Sequence, residues 1–301
     1  MNTHKPVLIN PIIRVFKENN KSGKIFDGTF GGGGYSYKFI ENGGEVFACD
    51  LDKNAIERSS SNPKLHLVQS NFAEHIKTFE DYTFDCIVVD LGFSNNQLQL
   101  DNKGFSYQKP DQLLDLRYNE DEGVTVSEFL KKVNYDTLRR VLYENSGEQF
   151  ANKIAERIIE KRELVKEIKV SDLVEWISES IPKKFYNKKN QVLSRVWQSL
   201  RIYINKEFES LNEFLAIAPK KLAVGGVLCI VNFHSLEDKI TTKTFREMSQ
   251  TYDLDNYGNK AQHYELLSRK PITPDQEELD FNPQSRSATL RIIRRCPEQK
   301  K

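Results

Sequence analysis

Short apolar runs bounded by polar or turn-forming residues recur along the first hundred positions: Lys24-Ile-Phe-Asp27, Glu45-Val-Phe-Ala-Cys-Asp50, Leu65-His-Leu-Val-Gln69 and Phe84-Asp-Cys-Ile-Val-Val-Asp90. They are short and rich in β-branched or aromatic residues, so each predicts a strand. The alternation of strand and helix patterns is that of a parallel sheet covered on both faces. From about residue 102 to 205 the period changes. Val126–Val133, Tyr135–Tyr143, Phe150–Lys161 and Val170–Ile181 repeat apolar positions at helical spacing, with few strand signals between them. The strand pattern resumes at Gly226-Val-Leu-Cys-Ile-Val-Asn-Phe233 and closes with Ala288-Thr-Leu-Arg-Ile-Ile293. This order predicts an α/β domain built from residues 1–101 and 206–301, interrupted by an all-helical insert over 102–205. Surface loops are expected at 251–260 and 271–283.

The chain is long enough, at 301 residues, to bury a sizeable core. Its mean hydropathy of −0.59 suits a soluble protein, and Arg14 and Lys17 break the longest early apolar run, so neither a signal peptide nor a membrane span is expected. A cytoplasmic location follows as the expectation. Cys49, Cys86, Cys229 and Cys296 are far apart and form no C-x-x-C pair, and the five histidines show no ligand spacing. Buried thiols and no metal site are expected. A net charge of +1 points to no class of partner, so any nucleic-acid affinity has to come from local patches.

The sharpest local signal is Lys24-Ile-Phe-Asp-Gly-Thr-Phe-Gly-Gly-Gly-Gly-Tyr35, a strand running into four consecutive glycines, Gly31 to Gly34. A backbone without side chains can bend through positive φ and lay its N–H groups against a ligand, as nucleotide-type cofactor sites do. No G-x-G-x-x-G register fits and no P-loop is present. The next strand ends on Asp50, placed to accept both hydroxyls of a ribose. NAD and S-adenosylmethionine (SAM) both carry that diol. A dinucleotide needs its strict glycine register, whereas SAM has a smaller amino-acid end and a cationic sulfonium that acids suit, so SAM is favoured. The plainer alternative is a flexible loop with Asp50 capping a helix.

Asp27, Asp50 and Asp90 would all lie at the carboxyl edge of the sheet, where open α/β sheets bind ligands. Asp90, in Val88-Val-Asp-Leu-Gly-Phe-Ser94-Asn-Asn-Gln97, stands where a substrate would meet a methyl donor. An acceptor for N–H protons there would raise the nucleophilicity of an exocyclic amine, and positioning alone can supply roughly 7–11 kcal/mol of the barrier. Otherwise Asp90 orders its own loop. Phe72 could stack on adenine or fill the core. His234, in Asn232-Phe-His-Ser-Leu-Glu237-Asp238, could contact substrate or simply open a helix. Between Ile181 and Lys206 there is no acid. Lys183, Lys184, Lys188, Lys189, Arg195, Arg201 and Lys206 are instead interleaved with Phe185, Tyr186, Trp197 and Tyr203. Cations for phosphates and rings for unstacked bases suit RNA, and Arg286, Arg291, Arg294 and Arg295 repeat the theme. A solvated helix face is the other reading.

Taken in order, His4-Lys-Pro-Val-Leu8, Asp27-Gly-Thr-Phe-Gly-Gly-Gly-Gly34, Asp90-Leu-Gly, Gly104-Phe-Ser, Gly147-Glu-Gln-Phe, Gln198-Ser-Leu-Arg-Ile-Tyr-Ile-Asn205, Phe233-His-Ser-Leu-Glu-Asp238 and Asn282-Pro-Gln-Ser-Arg-Ser-Ala288 resemble the RsmH family, also called MraW. The resemblance implies a Rossmann-like SAM-dependent methyltransferase with an inserted helical substrate-recognition domain. It also implies action on N4 of a cytidine in the decoding region of small-subunit 16S rRNA. Carried over by position, it places SAM contacts on Gly33, Gly34, Tyr35, Asp50, Phe72, Asp90 and Gln97, and leaves Asp90 and His234 as catalytic candidates with no metal. This sequence departs from the family pattern at Tyr35, where the family has His, at Asn95-Asn96 in place of Ser-Pro, and at Gln112-Leu113 in place of Gly-Pro. The last two bear on turnover and target choice more than on cofactor binding. An rRNA-binding assembly factor that keeps SAM without turnover is the alternative from another class. An N-methyltransferase acting on DNA or protein is a third reading, weakened because Asp90 is followed by Leu-Gly-Phe and not by a Pro-Pro-aromatic block. The oligomeric state, a homodimer included, is left open.

Overall fold

A computed structural model describes residues 6–19, 23–92, 102–254 and 260–297. The chain forms two compact units, Met1–Gly92 with Glu209–Lys301, and Phe93–Phe208; the sequence pattern put the corresponding boundaries at 101/102 and 205/206.

The first unit is an α/β structure around one seven-stranded sheet. Its strands are β1 (Lys24–Asp27), β2 (Glu45–Asp50), β3 (Leu65–Gln69), β4 (Phe84–Asp90), β5 (Leu222–Asn232), β8 (Tyr264–Leu266) and β9 (Thr289–Arg295), in the spatial order β3-β2-β1-β4-β5-β9-β8. The first five are parallel, whereas β9 runs antiparallel to β5, and β8 to β9. Order reverses between β1 and β4, which is the switch point where such sheets open a ligand crevice. Side chains alternate across the sheet with period two. Ile25, Cys86, Val88, Cys229 and Val231 join one core with Ile12 and Phe16 of α1 (Ile9–Asn19) and Phe39 of α2 (Gly34–Glu41). Phe26, Ile87, Val89, Leu228 and Ile230 join the opposite core with Leu211, Phe214 and Leu215 of α10 (Glu207–Lys221) and Phe245 of α11 (Ser235–Ser249). Both faces are therefore covered, which is why these strands read as continuous apolar runs. At roughly 1.5–3 kcal/mol for each fully buried large side chain, the two cores supply the main driving force for folding.

The short helices α3 (Lys53–Glu57) and α4 (Phe72–His75) follow β2 and β3, each started by a side-chain cap, Asp52 and Asn71. The two stretches expected as loops are partly regular. Within 251–260, β6 (Tyr252–Leu254) pairs with β7 (Lys260–Gln262), and within 271–283 lies α12 (Gln276–Phe281), capped by Asp275 accepting from the Glu278 amide. A six-residue helix with two glutamates in its first turn leaves almost no hydrophobic period to detect.

The second unit is helical. It contains α5 (Val126–Lys132), α6 (Tyr135–Glu144), α7 (Ala151–Lys161), α8 (Val170–Ser180), a 3₁₀ stretch at Lys183–Lys188 and α9 (Lys189–Ile204). Ala151, Ile154, Ala155 and Ile158 show why α7 forms: positions i, i+3, i+4 and i+7 make one buried stripe. A capping box between Thr125 and Glu128 starts α5, and Asn134 caps α6. Among the described residues no helix is long and apolar enough to cross a membrane.

Candidate active site

The glycine loop is built as its composition requires. Gly31 and Gly33 have φ of 54° and 76°, in the left-handed region. A Cβ on Gly33 would fall 2.3 Å from the Tyr37 ring, whereas one on Gly32 would meet nothing within 4 Å. The loop is thus packed on one side and open at Gly32. Gly33 precedes α2 with no side-chain cap, so the first-turn amides of an eight-residue helix begin at the open loop.

Three carboxylates stand at the strand ends around this loop, each in a different state. Asp27 is fully buried and accepts hydrogen bonds from the Thr29 amide at 3.2 Å and the Ser36 hydroxyl at 2.6 Å. Burial pushes its carboxyl up to about 6 against those two bonds. It orders the turn and faces no solvent. Asp50, partly exposed, accepts from the Gly31 amide at 2.7 Å through Oδ2 and from the Asp52 amide at 2.9 Å through Oδ1. Its surroundings also raise it to about 6. A carboxylate has about two lone pairs on each oxygen, so Asp50 keeps capacity for further donors beside these backbone amides, and a vicinal diol presents two.

Asp90 differs from both. Its backbone is fixed by the Thr29 hydroxyl, which accepts from the Asp90 amide at 2.8 Å, but its Oδ1 is buried and has no hydrogen-bond partner. Burial first, and the charge of Asp27 next, hold its carboxyl well above the ordinary range. Glu237 and Glu278 add to the rise, and a hydrogen bond from Tyr35 opposes it. The single proton of the buried Tyr35 hydroxyl is shared between Asp90 and the Val7 carbonyl, and burial with the charges of Asp90, Asp27 and Glu278 pushes this phenol well above 10. Four acids thus press on one another at this strand edge. A cation placed among them would satisfy the orphan oxygen and relieve the repulsion.

Two of these acids have structural duties. Glu237 is buried in the first turn of α11, and its Oε2 accepts from the Phe233 amide at 2.8 Å and the His234 amide at 3.3 Å. His234 completes the capping box through Nδ1, while its Nε2 lies 2.9 Å from Glu237 Oε1. The ring that the sequence offered as a catalytic candidate is therefore engaged in opening α11. Glu278 reaches from α12 to accept the Leu8 amide at 2.7 Å, with Leu8 at φ 53°. Pro6 sits close enough to Gly34 that a Cβ there would meet it at 3.0 Å. Residues 6–8 thus strap the glycine loop, clamped by Tyr35 on one side and Glu278 on the other. Sequence reading missed Thr29 and Glu278, because the first lies inside the glycine motif without chemistry of its own and the second lies in a stretch read as loop.

Phe72 opens α4 beside the end of β3, where the Ser70 amide donates to the Asp50 carbonyl at 3.0 Å. It is half-buried, with its ring edge-on to Phe214 at 5.1 Å. Gly33, Gly34, Tyr35, Asp50, Phe72 and Asp90 therefore share the carboxyl edge of β1, β2, β3 and β4. Gln97 and the Ser94-Asn95-Asn96 departure lie outside the described residues.

The basic stretch divides in the structure of the second unit. Arg195 pairs with the buried Glu148 at 2.8 Å, and Arg201 grips Glu207 through two bonds of 2.8 and 3.0 Å. Trp197 is buried and donates to the Gly104 carbonyl at 2.9 Å. These three are structural, contrary to the RNA role expected of them. Lys183, Lys184, Lys188, the half-buried Lys189 and the exposed Lys206 remain, the first four around Phe185 and an exposed Tyr186, with Lys184 Nζ 4.9 Å from the Phe185 ring centre. Two of the C-terminal arginines also become local. Arg291 pairs bidentately with Asp238 at 2.7 and 2.8 Å, and Arg295 lies 3.9 Å over Tyr82. At the Gln112 departure, the side chain accepts from the Gly104 amide at 3.1 Å and donates to Asn102 at 3.0 Å, so this residue braces its own turn.

The family model of the MraW methylase family matches residues 1–296. Proteins named ribosomal RNA small subunit methyltransferase H are similar over nearly the whole chain. The one from Leptospira interrogans serovar copenhageni is 34% identical, covering 97% of this chain and 89% of its own. The one from Cyanothece sp. is 34% identical with 97% and 94% covered, and that from Thermotoga neapolitana 32% identical with 96% and 94%. A solved rRNA methylase from Streptococcus thermophilus aligns over 98% of this chain and 99% of its own, at 9% identity and a TM-score of 0.40. With a family model spanning residues 1–296 and relatives at about a third identity over nearly the whole chain, this chain belongs to the MraW methylase family.

Proposed function

We propose that the protein is a SAM-dependent rRNA methyltransferase, and that it methylates N4 of a cytidine in the decoding region of 16S rRNA in the small ribosomal subunit. The observation that supports this reading most directly is the buried, unpartnered oxygen of Asp90 among Asp27, Glu237 and Glu278. It suits a ligand that brings a positive centre and a reaction that needs an acceptor for amine protons. SAM, when bound, supplies an activated methyl group on a sulfonium.

The residues present fit that cofactor. Asp50 takes the ribose diol on the lone pairs that Gly31 and Asp52 leave free, Phe72 stands by the adenine, and Gly33, Gly34, Tyr35 and Gln97 hold the methionine end. Asp90 accepts an N–H of the target amine, which draws electron density back onto nitrogen and fixes its direction of approach. His234 keeps Glu237 at the end of β5 and thereby shapes the substrate side of Asp90. The target base has to leave its stack to reach such a site. The second unit recognises the surrounding rRNA through the Lys183–Lys189 surface, where cations meet an exposed ring.

The test is mass spectrometry of small-subunit rRNA after incubating the protein and SAM with undermethylated subunits, beside an Asp90→Ala control. A protein-dependent methyl on cytidine N4 that the control lacks supports the assignment. SAM binding without any methylation would refute it in favour of an assembly factor that retains the cofactor.

A further inference from the structure

On the flank of the first unit, about one helical turn beyond the Asp238–Arg291 pair, α11, β8 and β9 enclose a small notch lined by Thr242, Arg246, Ser268, Arg269 and Arg291 over an apolar floor that includes Phe245. Among the described residues no carboxylate lines it. Three arginines therefore line it, of which Arg291 is committed to Asp238 through Nε and Nη2 and to the Arg269 carbonyl at 3.4 Å through Nη1. That pairing also fixes where the Arg291 fork points. Arg246 and Arg269 are exposed, and among the described residues neither side chain has a carboxylate partner. The Thr242 hydroxyl is the second, independent observation. Its oxygen is buried and makes no hydrogen bond, which is costly unless something else supplies the partner. Ser268 turns its own hydroxyl to the Lys270 carbonyl, so it leaves Thr242 unserved.

We infer that this notch is an anion site that takes one phosphate of the RNA backbone, a reading that rests on the rRNA substrate proposed above. One non-bridging oxygen of the phosphate would enter the notch and the rest of the group would face the exposed guanidiniums, and such phosphate contacts read charge and not sequence. Arg246 could otherwise serve only to balance the α11 C-terminal dipole. That duty accounts for neither Arg269 nor the orphan hydroxyl. Thr242 lies eight residues along α11 from His234, roughly 12 Å at the helical rise. A phosphate bound here would anchor the strand within a few nucleotides of the His234 end of α11.

The experiment measures binding of two labelled RNAs of equal length, one a decoding-region fragment of 16S rRNA and one unrelated, across a salt series. It compares the full-length protein with Arg246→Ala/Arg269→Ala and with Thr242→Val, which keeps the side-chain shape. The double variant should bind both RNAs about tenfold more weakly, with the slope of log K against log salt shallower by about 0.7 for each single-strand phosphate the variant no longer neutralises. Thr242→Val should bind a few-fold more weakly, and SAM affinity should stay unchanged in both variants. Wild-type RNA binding that both variants reproduce in affinity and slope would overturn the notch alone. A wild-type protein that binds neither RNA would overturn the rRNA reading, and the notch with it. Weakening confined to the 16S fragment would also count against it, because a grip on the backbone cannot discriminate sequence.

Discussion

Asp50 offers the most quantitative test of the cofactor site, because one carboxylate is asked to do two things. It already ties down Gly31 at 2.7 Å, and on our reading it also receives the ribose diol. Hydrogen bonds to a charged group contribute about 1.5–3 kcal/mol, so Asp50→Ala should weaken SAM binding by roughly 10- to 150-fold. The pH dependence sharpens the claim. Only the ionised carboxylate can accept from both hydroxyls, and its pKa in the free protein is raised to about 6. The competent fraction is therefore about 0.99 at pH 8 and about 0.09 at pH 5, and apparent affinity scales with that fraction. Binding should weaken about 11-fold across this range, equivalent to about 1.4 kcal/mol.

S-adenosylhomocysteine is the better probe, since it keeps the diol and lacks the sulfonium charge that Asp90 and its neighbours would feel. Isothermal titration of this ligand at pH 5, 6, 7 and 8 should follow a single deprotonation in the wild type. Asp50→Asn should bind weakly with the slope removed. A pH-independent wild type, or an Asp50→Asn variant that keeps the slope, would refute the assignment of the diol to this residue.

Three further outcomes are expected. Asp27, raised to about 6 by burial, binds its proton more tightly folded than unfolded, so it lends stability below about pH 4 that is lost as pH rises through 6; the stability of Asp27→Asn relative to wild type, from paired thermal melts, should therefore improve from pH 4 to 7 by up to about 3 kcal/mol. Glu278→Ala should release the Leu8 amide and weaken SAM binding several-fold while Glu278→Gln, which keeps an acceptor, stays near wild type, and equal affinities for the two variants would show that residues 6–8 do not depend on this clamp. Arg201→Ala should cost about 3 kcal/mol in thermal stability by stranding Glu207, whereas replacing Lys183, Lys184, Lys188 and Lys189 with Ala should leave melting unchanged and reduce RNA affinity and its salt slope; the reverse pattern would restore Arg201 to the RNA surface.

How much of this was legible in the sequence depends on whether a residue's role is local. The strands were legible because burial on both faces writes itself as uninterrupted apolar residues, and α7 because Ala151, Ile154, Ala155 and Ile158 repeat on one stripe. The glycine loop and the strand-end acids were legible because a bare backbone and a carboxylate have few other uses at the end of a buried strand. What stayed hidden was pairing at long range. Nothing near Arg195 announces Glu148, 47 positions away, and Glu207 stands just past the end of the run, six residues from Arg201, so an acid-free run looked like one RNA surface until the fold paired it with acids from outside it. The same blindness concealed Glu278, which lies 270 positions from Leu8 yet bonds it. It also concealed the difference among three aspartates that look alike in sequence. Asp27 is spent on its own turn and Asp50 is shared between the loop and an open side, while Asp90, half-buried like Asp50, has one oxygen that is buried and partnerless. That difference in hydrogen-bond occupancy, more than the presence of acids at the strand ends, is what makes one of the three a candidate for chemistry and the other two its supports.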